Sequence, residues 1–461
     1  MLFTLPISLV ALAFQALLVA ALSGDLVRRN SSGFVSVQDG AFQLDGRFYR
    51  FYGTNAYWAH TMTDNELNTL FSDIANAGFR VVRTWAFNDV PSKPASGPYF
   101  QILSGGSATV NEGPDGLQRL DKVVACAQKY GIRLILTLTN NWNPERPAPA
   151  SGIPRGSLQN DYGGIDAYVR NFKPGGTHDL FYTHPTIINA FKYYVKAVVS
   201  RYASNPTILA WELGNDLRCS STVPASPDCN PKTITKWAAH ISGYIKELDH
   251  KHLVTTGDSG FFCLGCPKLF ANTSTPKRSA LDGPSFDGSF GIDTEDLVSI
   301  PSIDFGSFQI SPEQMQLFPA ISGADKTDQL LGNGGRWIEV HSQTSGLSEK
   351  PQVLLSAGVV TSSNCRFFVS NDRIEPQPDK VPCYGVEDFE ATYAVSSWGS
   401  AALNGNVDVL PFLLQWIQIQ SRLASRGTTG GLWEKRQEPG RYDGAATNIN
   451  TRLFALDAPP I

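Results

Sequence analysis

The chain has 461 residues, of which 42% are hydrophobic and 17% charged, and its formal net charge is −4 at pH 7. That length can bury a large core and fits either one big α/β barrel or two ordinary domains. No long block of basic residues interrupts it, which argues against nucleic acid or an anionic membrane surface as a partner and favours neutral ligands.

The chain opens on MLFTLPISLVALAFQALLVAALSG, an uncharged apolar run that ends in small residues. Its position and small-residue end predict a secretory signal cleaved near residue 22, and no later segment is apolar for long enough to span a bilayer. In an exported chain, seven cysteines suggest disulfides and one leftover thiol. Cys219 with Cys229, Cys365 with Cys383, and the C-x-x-C of Cys263 and Cys266 could each close a loop, with zinc the rival for the last. Cys126, near the apolar face of the helical pattern GLQRLDKVVACAQKYG, is expected to be free. Glycosylation sequons lie at Asn30 and Asn272.

Strand patterns then alternate with amphipathic segments. The strand candidates are RFYRFYGTNAY, FRVVRTWAF, IRLILTLTN, ILAWELGND, HLVTTGDSG, IDFGSFQI, QVLLSAGVV and VLPFLLQW. This count predicts an α/β fold, a (β/α)8 TIM barrel over residues 30–425. A capping box, Thr63-x-x-Glu66, starts the first clear helix, Leu67, Leu70, Phe71 and Ile74 share one face, and Gly78 stops it. The Pro-rich segment 143–160 follows the third strand, where a barrel carries its active-site loops, so it could reshape a cleft. The tail 426–461 is rich in Gly, Pro and charge and is expected to be loosely attached.

At the strand ends, RFYRFYGTNAYW, GFRVVRTWAFND, LTNNW, DYGGIDAYV, GGTHDLFYT and NPTILAWELGND occur in this order. Together they resemble the fungal endo-β-1,4-mannanases of glycoside hydrolase family 5. The resemblance implies a (β/α)8 barrel with an open cleft at the carboxyl ends of the strands and a retaining mechanism. That mechanism uses two glutamates about 5–5.5 Å apart, one acid/base and one nucleophile.

Carried over residue by residue, the resemblance exposes departures. The family's acid/base glutamate follows an Asn, here Asn215, so Asp216 takes its place. An Asp carboxyl sits one methylene further back, about 1.5 Å, where a misplacement near 1 Å already costs about 10²-fold. Glu212 lies two pleats deeper and reads as a buried structural carboxylate. On the seventh strand, alignment on Leu354 and Gly358 puts Ser356 at the nucleophile position, and a hydroxyl lacks the charge that stabilises an oxocarbenium-like transition state. The family's His-x-Tyr pair on the sixth strand is replaced by Gln309 and Ser311, and its platform Trp falls on Leu414, with Trp416 nearby. Arg83, Trp85, Asn215 and Arg218 match residues that contact the nucleophile or the sugars, and Trp58, Trp85 and Trp142 offer flat faces for sugar rings.

Two fragments suggest another chemistry, WAAH at Trp237 to His240 and GDSG at Gly257 to Gly260. They lie too close together for a chymotrypsin-like triad, which is recognised by geometry. LLSAG is a poor G-x-S-x-G elbow, with Leu354 in place of the first Gly, and His341 reads as a helix or loop residue rather than as a base for Ser356. The expectation is a secreted, monomeric, cofactor-free and metal-free barrel that binds β-mannan or a related cell-wall polysaccharide or oligosaccharide and has lost hydrolysis. The alternative is a weak or non-standard glycosidase with Asp216 as general acid. A third is hydrolysis centred on Ser356.

Overall fold

The computed structural model describes residues 33–51, 53–76, 78–143, 162–271, 283–310, 326–357 and 453–454. The signal segment, both sequons, Ser311, Cys365, Cys383, Leu414, Trp416 and nearly all of the Pro-rich segment lie outside the described residues.

The chain is an α/β barrel of the (β/α)8 type. A meander of β1 (Val35–Gln38), β2 (Ala41–Leu44) and β3 (Arg47–Phe48) comes first. The main sheet takes β4 (Gly53–Asn55), β5 (Val81–Trp85), β9 (Arg133–Thr137), β10 (Ile208–Glu212), β11 (Leu253–Thr255), β12 (Gly306–Ile310) and β13 (Gln352–Ala357). Neighbouring pairs among these are parallel: β4 with β5, β5 with β9, β9 with β10, β10 with β11, and β12 with β13. Side chains of β5 and β10 are buried along their whole length, as expected of strands covered on both faces. Between β11 and β12, Asp304 N–H donates to the Val254 carbonyl at 2.8 Å and Gln309 N–H to the Ser259 carbonyl at 3.2 Å, which draws the two ends of the series together.

The slot between β13 and β4 holds β14 (Leu453–Phe454), antiparallel to both. These two residues belong to the tail expected to be loosely attached. The segment expected to supply the eighth strand, VLPFLLQW, lies outside the described residues.

Helices cover the barrel with the faces their apolar spacing dictates. The first, α1 (Asp64–Asn76), buries Leu67, Leu70, Phe71 and Ile74. Its capping box is formed: Thr63 N–H donates to Glu66 Oε2 at 2.8 Å, and Glu66 N–H to Thr63 Oγ1 at 3.3 Å. α2 (Leu117–Lys129) carries Cys126, which is buried and free. There follow α3 (Ile165–Phe172), α4 (Leu180–Thr183), α5 (Pro185–Tyr202), α6 (Pro231–Leu248), α7 (Thr294–Val298) and α8 (Lys326–Ser348). Among the described residues, no helix is long and apolar enough to cross a membrane.

The sequence reading did not anticipate a second small sheet, β6 (Asp89–Val90), β7 (Gln101–Ser104) and β8 (Ser107–Val110), inserted after β5. Its hairpin turns on Gly105 and Gly106, with φ of +59° and +73°, the pair of left-handed residues that a two-residue hairpin loop requires. Cys219 is bridged to Cys229, and Cys263 to Cys266.

Candidate active site

The carboxyl ends of β4, β5, β9, β10, β12 and β13 deliver one connected polar net. At its base, Arg83 on β5 donates through Nε to Glu212 Oε2 at 2.6 Å and through Nη2 to Oε1 at 2.5 Å. Glu212 is fully buried, so this fork-to-fork pair places its charge opposite another charge instead of water. The remaining arginine donors reach Asn55 Oδ1 at 3.2 Å and Asn215 Oδ1 at 2.8 Å.

Asn215 carries the net across the barrel. Its Nδ2 donates to Asn140 Oδ1 at 2.8 Å, and its Oδ1 also accepts from Gln309 Nε2 at 3.4 Å. Gln309 Oε1 in turn accepts from the Ser356 hydroxyl at 3.2 Å. The third chemistry, a serine nucleophile, gains no base from this arrangement, because the partner of Ser356 is an amide oxygen. His341 faces elsewhere, toward Trp337 and Gly260.

Asp216 occupies the next position and is held differently. Its φ of +56° lies in the left-handed region, which Asp tolerates better than most residues but which still needs support. Support comes from its N–H, which donates to the Gly257 carbonyl at 2.8 Å. Around the carboxyl, Trp142 Nε1 donates to Oδ2 at 2.6 Å, Arg218 Nε donates to Oδ1 at 3.0 Å, and the Ser259 hydroxyl donates to Oδ1 as well. Both oxygens therefore act as acceptors. The Arg218 guanidinium lies 5.0–5.2 Å from the ring centroids of Trp142, Phe261 and Phe290, an aromatic cage that limits where the Asp216 partner can move.

Beside this site, burial pushes the Asp258 carboxyl up to about 6, against the opposing hydrogen bond from the Thr256 hydroxyl. Asp258 Oδ2 also accepts from Gly260 N–H at 3.1 Å. Among the described residues, no group of three or more His, Cys, Asp or Glu side chains is placed to hold a metal ion.

Arg83, Asn215, Gln309 and Ser356 are thus joined in one hydrogen-bonded net, with Asp216, Trp142 and Arg218 adjoining it through the backbone of Asn215. Ser311 lies outside the described residues. The expectation that Trp58 and Trp85 offer open faces to sugar is not met. They are 3% and 2% exposed because neighbouring side chains cover their faces: Trp85, the last residue of β5, packs on Tyr57, Phe87 and the Arg83 guanidinium, and Trp58, just past β4, packs edge-on against Tyr57. Trp142, half-buried above Asp216, keeps part of its surface in solvent.

Sequence reasoning missed Asn55 and Asn140, whose amides complete the net, and Ser259, which sits in the GDSG fragment set aside as chance. The only available signal was position, since each lies at or just past the carboxyl end of a barrel strand, where this architecture gathers its site.

Comparison with known proteins agrees with the fold. A family model described as GH family 5 beta-mannosidase-like matches residues 32–278. The chain is 37% identical over 340 residues to a probable mannan endo-1,4-beta-mannosidase A of Aspergillus oryzae, covering 72% of this chain and 73% of that one. To mannan endo-1,4-beta-mannosidase F of Aspergillus fumigatus it is 36% identical over 329 residues, covering 70% of this chain and 64% of that relative's length. The crystal structure of an endo-1,4-beta-mannanase from Rhizomucor miehei superposes with a TM-score of 0.62 at 29% identity, covering 82% of this chain and 89% of that one. The chain belongs to the mannosidase-like branch of glycoside hydrolase family 5.

Proposed function

We propose that the protein is an exported, mannanase-like barrel that binds β-mannan or its oligosaccharides and has lost the double-displacement route of hydrolysis. The observation that carries this reading is the end of β13. There Ser356, which the family resemblance aligns with the nucleophile, meets the Gln309 amide, whereas a retaining mechanism would need a carboxylate about 5–5.5 Å from its acid. The other carboxylate of the net, Glu212, is spent on Arg83 at its buried base. Neutral amide and hydroxyl groups remain above it, suited to hydrogen-bonding sugar hydroxyls. The names of the relatives supply β-mannan as the ligand class, and the two disulfides fit an oxidising, extracellular setting.

A second reading has one observation in its favour. Asp216 is gripped by three donors in a single orientation, as the ionised, base form of an acid/base carboxyl would be held. Measurement of reducing-end release from β-mannan, beside calorimetric titration with mannohexaose, separates the two. The binding reading expects heat of binding with hydrolysis at background. Hydrolysis at an ordinary enzyme rate that disappears in Asp216→Ala would overturn it in favour of the second.

A further inference from the structure

The GDSG loop and His341, which a protease reading cannot use, meet in the structure. His341 lies in α8 and is buried, with each ring nitrogen against a backbone carbonyl: Nδ1 is 2.8 Å from the Trp337 oxygen and Nε2 is 3.0 Å from the Gly260 oxygen. A carbonyl oxygen only accepts, so both contacts are hydrogen bonds only when both ring nitrogens carry hydrogen, which makes the ring a cation. The surroundings suit a cation. The Phe308 ring lies parallel to the imidazole at 4.2 Å between centroids, presenting its electron-rich face.

Gly260 is the point of leverage. Asp258 takes its N–H and His341 takes its carbonyl, so the residue is gripped from both sides. Its φ is +91°, and a Cβ there would stand 2.3 Å from His341 Nε2, so only glycine admits the ring this closely. The loop so anchored reaches the site at three places. The Gly257 carbonyl accepts from Asp216 N–H, the Ser259 hydroxyl donates to the Asp216 carboxyl, and the Ser259 carbonyl accepts from Gln309 N–H.

We propose that His341 is a positioning residue which, as an imidazolium, bridges α8 to the Gly257–Gly260 loop and thereby fixes the Asp216 carboxyl against Trp142. Loss of the second ring proton sets a bare nitrogen against a carbonyl oxygen, breaks one of the two bonds and slackens the loop. Among the described residues, the charged and titratable groups on the elements around the ring are Asp258 on the loop, Asp293, Glu295 and Asp296 at α7 with Lys268 between the first two, and Lys326, Asp328, Arg336 and Glu339 along α8 itself. Strands β12 and β13 bring none.

The inference rests on Asp216 belonging to the cleft but on no sugar, so its test contains none and stays separate from the mannan reading. Nuclear magnetic resonance of the full chain, labelled with 15N in histidine and tryptophan, reads both ends of the linkage. Signals are assigned with Trp142→Phe and His341→Gln, or through proximity of His341 to the Phe308 ring where the histidine variant fails to fold. At about pH 5, both His341 nitrogens are expected to carry a directly bonded hydrogen. The Trp142 indole N–H signal is expected to shift in His341→Gln and, in the unmodified protein, to move with the same midpoint as the ring's deprotonation. An unprotonated His341 nitrogen at about pH 5 overturns the proposal. So does a Trp142 signal that stays still while the ring loses its proton or is replaced.

Discussion

Trp142 Nε1 donates to Asp216 Oδ2 at 2.6 Å, joining residues 74 positions apart and tying the loop after β9 to the end of β10. Trp142→Phe keeps an apolar ring and removes the donor, leaving Oδ2 without that partner. A lost hydrogen bond to a charged group costs about 1.5–3 kcal/mol, and the partial exposure of Trp142 places the expected loss toward the lower end. Urea unfolding checks the stability, and titration with mannohexaose should show weaker binding in the same variant. Unchanged stability and unchanged binding together would remove this contact from the site.

The Arg83–Glu212 pair is nearly sealed from solvent, so breaking it should be far more costly than breaking a surface pair. Glu212→Gln preserves shape but strands the guanidinium in the core, and an expected loss of about 3–5 kcal/mol follows. Replacing both partners with apolar residues should cost less, because no lone charge remains. Chemical denaturation of the single and double variants orders the two effects, and a single variant within about 0.5 kcal/mol of the parent would contradict this account.

Much of this molecule is legible without coordinates, and the division has a physical cause. The seven parallel strands could be read because a strand buried on both faces is a short apolar run bounded by turn residues. The helix of Thr63 to Asn76 could be read from its capping box and its apolar spacing. Position on a strand also placed Asn215 and Asp216 together and made Glu212 a buried carboxylate. What sequence could not show was partnership across the barrel. Nothing local tells Arg83 that its partner lies at Glu212, or Ser259 that its hydroxyl faces Asp216. Trp58 and Trp85 were misjudged because a tryptophan's composition is the same whether its face meets sugar or core.

Buried carboxyls give the protein a dependence on pH that can be signed. Burial raises Asp258 to about 6, and burial likewise raises Asp293 to about 6 against the lowering charge of Lys268. Folding then favours their protonated forms, so their stabilising contribution is full below the unfolded value of about 4 and is lost as pH rises through about 6. Asp249 is the opposite case. Burial would raise it, but the hydrogen bond and charge of His252 and the Trp211 indole hold it at about 2, so its contribution is present above about 4 and fades as pH falls toward 2. Thermal unfolding across about pH 4 to 7 should show a smaller decline in Asp258→Asn than in the unmodified protein. An equal or steeper decline in the variant would contradict the assignment.

If hydrolysis is absent, as proposed, the cause lies either in two side chains or in their surroundings. Asp216→Glu with Ser356→Glu places glutamates, the pair a retaining glycosidase of this family is expected to use, at the ends of β10 and β13. A nucleophile works only when held within about half an ångström of its productive position by groups that are themselves fixed. Here the neighbour of position 356 is Gln309, whose Oε1 now accepts from the Ser356 hydroxyl and would instead face a carboxylate oxygen, acceptor against acceptor. At position 216, a longer side chain would press its carboxyl into the ring of donors formed by Trp142, Arg218 and Ser259, a ring fitted to aspartate on a left-handed backbone. The double variant should therefore fold, bind mannohexaose and release reducing ends from β-mannan at a rate barely above the parent. Recovery to an ordinary enzyme rate would mean that the surrounding net still supports catalysis and that only the two carboxylates had been lost.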